Sequence, residues 1–212
     1  MPERSMGFER AVFFSDAVFA IAITLLVIDL RLPEAAEAAG ETPIATLLGE
    51  MVPQFLAFAI SFAVIGMFWM AHWRRYGLVA RVDERLLWLN LLLLAFVVLM
   101  PFPTAVIAAH GGDPGAVMLY VAVVAAAGAA STLAWAYAWR AGLLVPGLTR
   151  RYVRMSALRG LTVAIVMVAT LPLLAFGPYL VEWSWLLIIP AQIAVNRRLA
   201  RVRAEDGIPA PA

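Results

Sequence analysis

The 212-residue chain contains no cysteine, which excludes disulfides, thiol catalysis and thiolate metal sites and leaves the redox compartment unreadable. It also contains no lysine: all sixteen basic residues are arginine. Only 14% of the residues are charged, against about 25% in a typical soluble domain. The formal charge of +2 is too small to suggest a nucleic-acid partner. Only two histidines are present, His72 and His110. They fall on opposite sides of the topology derived below, so they cannot share a metal. With no nucleophile or metal cluster beside the lone Asp16–His72 pair, an enzyme is not expected. No TVGYG-type carbonyl filter occurs, and no helix carries an S4-like arginine ladder.

What is present is apolar: 64% of the residues are hydrophobic, an excess that only lipid or partner chains can cover. The run Ala11–Leu32 spans 22 residues, about 33 Å as a helix. That crosses a bilayer and exceeds a signal-peptide core, so the segment reads as a retained first helix. Further apolar runs at Met51–Trp73, Leu86–Ala108, Ala116–Trp139, Leu161–Phe176 and Val181–Val195 make six transmembrane helices, the last two interrupted by Pro172 and Pro190. Ala122–Ala136 is rich in small residues that permit close packing in lipid. The expected fold is an all-α polytopic membrane protein, with residues 1–203 as one domain and 204–212 as a disordered tail.

Charge alternates along the connections. Arg4 and Arg10 precede the first helix. Arg31, Glu34, Glu37, Glu41 and Glu50 follow it, and Pro33–Thr42 reads as a loose extracellular loop. Arg74, Arg75, Arg81 and Arg85 follow the second helix, and Asp113 without arginine follows the third. Arg140, Arg150, Arg151, Arg154 and Arg159 come next, then Glu182, then Arg197, Arg198, Arg201 and Arg203. The positive-inside rule puts both termini in the cytoplasm, in a multi-pass protein of the cell inner (plasma) membrane. An extra or missing helix would break the alternation.

Polar residues inside a span need a reason. Arg10, Ser15, Asp16, Thr24 and Asp29 all fall on the first helix. Arg10 and Asp16 lie about 240° apart around it, so they do not face each other. Asp16 needs partners from other helices, and Trp69, His72 and Asn90 lie at matching depth. The preferred reading is a buried network pinning three helices together; a proton relay is the sharper alternative. Ile21, Leu25 and Ile28 recur at i, i+4 and i+7 as an apolar stripe, with Thr24 on its edge about 60° from Ile21 and Asp16 about 140° away.

The stretch Arg10-Ala-Val-Phe-Phe14-Ser15-Asp16 fits R-x-x-x-F-S-D. It resembles the signature of the transmembrane protein 175 family, potassium channels of prokaryotes and of animal lysosomes. The segments SFAVIGMFWMAHWRRY and NLLLLAFVVLMPFPTAV resemble that family's second and third helices. The likeness covers the first half of the chain; the rest is similar by hydropathy only. It implies a homotetramer in a lipid bilayer, with the first helix of each subunit lining the pore. It implies a potassium-preferring leak channel needing no cofactor, with K+ as the permeant ion. By position, the constriction falls on Ile21, Leu25 and Ile28, with Thr24 proposed to govern potassium preference. Arg10, Phe14, Ser15 and Asp16, with Trp69, His72 and Asn90, map onto the motif network that braces the pore helix. Where many relatives have adjacent histidines, this chain has His72 and Trp73. The alternative is a proton- or cation-coupled secondary transporter, which would want inverted repeats and broken helices; an intramembrane enzyme and a structural subunit are weaker readings.

Overall fold

A computed structural model of the chain describes residues 6–32, 43–110 and 112–208. The acidic loop Pro33–Thr42 lies outside the described residues, as does the Asp29 side chain. Among those described, the chain is all-α, with six helical spans long and apolar enough to cross a membrane. They are Met6–Ile28, Val52–Tyr76, Glu84–His110, Pro114–Arg140, Arg150–Phe176 and Pro178–Glu205, preceded in the second case by a short helix, Ile44–Glu50. The last two outrun their apolar cores. Each continues through an arginine-bearing turn that hydropathy alone reads as loop.

Local chemistry sets the starts. Asp83 caps the third span by accepting from the Leu86 N–H at 2.8 Å, Asp113 caps the fourth through Gly115 N–H, and Thr149 caps the fifth through Tyr152 N–H at 3.1 Å. These side-chain oxygens satisfy donors that a first helical turn leaves unpaired. The sixth starts at Pro178, after Gly177 at φ +127°, a backbone angle that needs glycine.

Prolines set the irregularities. Pro101 has no N–H for the Val97 carbonyl, and Met100 N–H bonds it instead at 3.2 Å. Helix Leu171–Phe176, around Pro172, and Trp185–Leu187, just before Pro190, tighten to 3-10 geometry. So does Leu26–Asp29 at the end of the first span.

The first span packs on the second and third, the fourth lies between the third and fifth, and the sixth leans on the fifth. The fourth is the most enclosed, with 56% of its apolar window buried against 22% for the first and 17% for the sixth. Small residues make this possible: a Cβ at Gly128 would meet the Ala164 Cβ at 3.2 Å.

The arginine-bearing segments converge on one end of the bundle. There Phe8, Tyr76, Val79, Leu86, Ala138 and Leu143 share one apolar cluster. Leu78 accepts from Val145 N–H at 2.9 Å, and Leu143 accepts from Ala80 N–H at 2.8 Å, tying the loops after the second and fourth spans together. Arg151 pairs with Glu205 at 2.6 Å. Where the sequence reading opens a disordered tail at residue 204, the helix runs on to Glu205 and Ile208 is buried against Leu199 and Val202; residues 209–212 lie outside the described ones.

Candidate functional site

The first helix has two contrasting faces. Ser15, Phe19, Ala22 and Leu26 recur at helical spacing and are at most 1% exposed. On the opposite face Phe14, Ile21 and Ile28 are 53–56% exposed, and Arg10, Ala17 and Thr24 join them. Leu25 is half-buried at the edge of that face. The sequence stripe assumes α geometry throughout. The change to 3-10 geometry after Leu25 instead sets Ile28 three residues on and nearly eclipsed with Leu25. Thr24 turns its hydroxyl back on its own helix and donates to the Ile21 carbonyl at 2.8 Å.

The inward face carries a directed chain of hydrogen bonds. Ser15 Oγ donates to the Ala11 carbonyl at 2.8 Å, so it must accept from Asn90 Nδ2 at 2.9 Å. Asn90 is thereby oriented with Oδ1 toward His72 Nε2, which donates to it at 3.0 Å. His72 Nδ1 is left without a hydrogen-bond partner, its ring stacked on Tyr76 at 4.1 Å and tilted against Phe19 at 5.6 Å. Aligned donors and acceptors in a low-dielectric interior strengthen one another. Beside the chain, Trp69 Nε1 donates to Asp16 Oδ1 at 2.9 Å.

The expected residues therefore divide. Ser15, Asp16, Trp69, His72 and Asn90 meet where the first three spans pack, though Asp16 takes Trp69 and leaves the His72–Asn90 pair to Ser15. Arg10 and Phe14 lie outside this network on the exposed face, and Arg10 has no hydrogen bond or ion pair among the described residues. Among the described residues no group of three or more His, Asp or Glu could hold a metal.

One central residue went unnoticed in the sequence. Arg75 reads there as loop charge, but it is 6% exposed inside the bundle. Its Nη1 donates to Ser131 Oγ at 2.7 Å and to the Ser131 carbonyl at 3.0 Å, and its Nη2 donates to the Ser156 carbonyl at 2.8 Å. The guanidinium lies 5.6 Å from the Trp135 ring centroid. It fits because position 160 is glycine; a Cβ there would collide with it. No local signal in the sequence separates Arg75 from its neighbour Arg74, because its partners Ser131, Ser156 and Gly160 come from distant spans. Farther along the bundle, Thr104, Ser61 and Tyr120 form a second buried set, with Ser61 Oγ 2.8 Å from Thr104 Oγ1 and 3.0 Å from Tyr120 Oη.

Residues 10–101, which hold this whole first-helix network, match the family described as endosomal/lysosomal potassium channel TMEM175. Over these residues the chain resembles TMEM175. It is 40% identical over 130 residues to a potassium channel of Streptomyces collinus, covering 61% of this chain and 62% of that one. Over 101 residues it is 44% identical to a potassium channel of Chamaesiphon minutus, covering 48% and 49%. Over 94 residues it is 38% identical to the bovine endosomal/lysosomal proton channel TMEM175, covering 42% of this chain and 20% of that one. The chain thus matches less than two thirds of the length of these curated relatives. The structural likeness reaches further. A crystal structure of a lysosomal potassium-selective channel TMEM175 homolog from Chamaesiphon minutus superposes with a TM-score of 0.76 at 29% identity, over 91% of this chain and all of that one. The match to the family model ends at residue 101, whereas the structural likeness extends over 91% of the chain. These relatives are named as ion channels, which are not a class of enzyme.

Proposed function

We propose that this chain forms a potassium-preferring, leak-type cation channel, a homotetramer whose pore is lined by the first span of each subunit. The observation that carries the reading is the exposed apolar face of that helix in a single subunit, set opposite a face locked by hydrogen bonds. Ile21, Leu25 and Ile28, brought together from the copies, form a narrow aliphatic ring. Such a ring gates by dewetting. It favours potassium over sodium because the larger ion sheds its water at lower cost, so the preference is modest. Thr24 lies between the ring residues and tunes that preference. Ser15, Asp16, Trp69, His72 and Asn90 brace the helix from behind, and Arg10 and Phe14 contribute at the mouth where subunits meet. Both termini and the arginine-rich end face the cytoplasm, by the positive-inside rule.

The test is ion flux from liposomes holding the purified chain, with potassium, sodium and proton gradients run in parallel. Non-saturating flux that prefers potassium, and loses that preference in Ile21→Asn, supports the reading. Slow, saturating flux that tracks pH favours the coupled transporter. A purified monomer in several mild detergents defeats the pore.

A further inference from the structure

Between the second, fifth and sixth spans a groove opens with two chemically different arms. One, of about 580 Å³, lies at the arginine-rich end and is lined by Arg74, Arg159 and Arg203 together with the buried Arg75. The other, of about 500 Å³, runs toward the middle of the bundle along Phe62, Gly66, Met67, Met70 and Val163. The arms are continuous, because Ala71, Arg74, Arg159, Gly160 and Asn196 line both. From residue 62 to residue 74 the second span rises about 18 Å, the length scale of an acyl chain.

The charge in this groove is uncompensated. Neither arm is lined by an aspartate or glutamate. The ion pair found among the described residues, Arg151–Glu205, lies outside it. Arg75 is already held by Ser131 and Ser156, but Arg74, Arg159 and Arg203 are half-buried with no carboxylate. Arg203 donates through Nε to the Ile208 carbonyl at 3.1 Å and leaves a buried Nη2 with no partner. Half-buried arginines lining one groove without a carboxylate call for an anion, and the planar fork of arginine suits phosphate.

We propose that this groove binds an anionic phospholipid, its phosphate headgroup against Arg74, Arg159 and Arg203 and an acyl chain along Gly66, Met67 and Met70. Basic pockets between spans on the cytoplasmic side are suited to such headgroups. A free phosphate would leave the apolar arm unused. Arg159, Asn196 and Arg203 lie beyond the residues 10–101 matched to the family, whereas Arg74, Gly66, Met67 and Met70 lie within them. The leaflet assignment rests on the orientation proposed above; the chemical class of the ligand does not.

The experiment is native mass spectrometry of the full chain in mild detergent, titrated with phosphatidylglycerol or phosphatidylcholine. The expected result is about a tenfold preference for phosphatidylglycerol, with the double variant Arg159→Gln/Arg203→Gln bringing the two lipids level. Arg197→Gln/Arg198→Gln, an exposed pair outside the groove lining, keeps the preference. Gly66→Leu guards against misfolding as the cause. A Cβ there meets nothing within 4 Å, so the added side chain enters the open apolar arm; the expected result is an unchanged melting temperature with loss of retained lipid. Millimolar inorganic phosphate leaves bound lipid in place. Equal retention of both lipids, equal loss in the two arginine pairs, unchanged binding in Gly66→Leu, or displacement by phosphate would each overturn the proposal.

Discussion

The two faces of the first helix differ in how they are held rather than in how apolar they are. Its inward face holds Ser15 bonded to Asn90, and its outward face presents Phe14, Ile21 and Ile28. In lipid, apolar surface has no drive to leave its surroundings, whereas an unsatisfied polar group is expensive. The Ser15–Asn90 hydrogen bond therefore joins the packing of Phe19, Ala22 and Leu26 in fixing which face meets the bundle. The inward face is fixed by specific partners. The outward one is free to meet lipid or other copies of the chain.

That contrast can be broken first from behind. Gly160→Leu drives a side chain into the Arg75 guanidinium, displacing a buried charge from its three hydrogen bonds. A loss of about 3–5 kcal/mol is expected, as for removing a partner from a buried charge, read as collapse of folded yield in detergent. Asn90→Leu cuts the chain at its centre and strands Ser15 and His72. It should lower stability by about 2–3 kcal/mol, seen as a fall in melting temperature. Asp16→Ala removes only the acceptor of Trp69. About 1–2 kcal/mol is expected, with tetramer assembly reduced before ion preference; a normal tetramer with altered selectivity would reverse the roles of the two faces.

On the outward face the sign of the effect changes. Ile21→Asn should leave the melting temperature within the scatter of a surface change, about 0.5 kcal/mol, while the potassium-to-sodium permeability ratio moves toward one. The smallest effect is at the arginine-rich end. Tyr137 Oη donates to Asp83 Oδ2 at 2.6 Å, and this bond first, then the Leu86 N–H and Arg85, holds the Asp83 carboxyl below its ordinary 3.8. A depressed carboxyl contributes stability above its unfolded pKa and loses it as pH falls through the folded one. Tyr137→Phe should therefore lower the melting temperature slightly at neutral pH. The difference from the parent should vanish once the pH is well below 3.8.

Much of the architecture was legible because lipid leaves few choices. Hydropathy gave the number of spans, and the R-x-x-x-F-S-D stretch with Trp69, His72 and Asn90 gave the first-helix network in outline. The pairing inside that network was not legible. Asp16, His72 and Asn90 lie at one depth, and depth alone does not say that Asp16 takes Trp69 while Ser15 takes Asn90. Arg75 escaped because a loop arginine and a buried one look alike until Ser131, Ser156 and Gly160 come from distant spans to surround it.

By itself, then, the sequence determined the spans, their alternation of charge and the apolar stripe of the first helix, because these follow from local periodicity and from the need to satisfy every backbone group within its own helix. Only the tertiary structure decided which polar atoms meet, that Arg75 lies inside, and that Arg74, Arg159 and Arg203 border one groove. Those depend on helix rotation and on bringing residues as many as 129 positions apart, Arg74 and Arg203, to one groove, which no local pattern encodes.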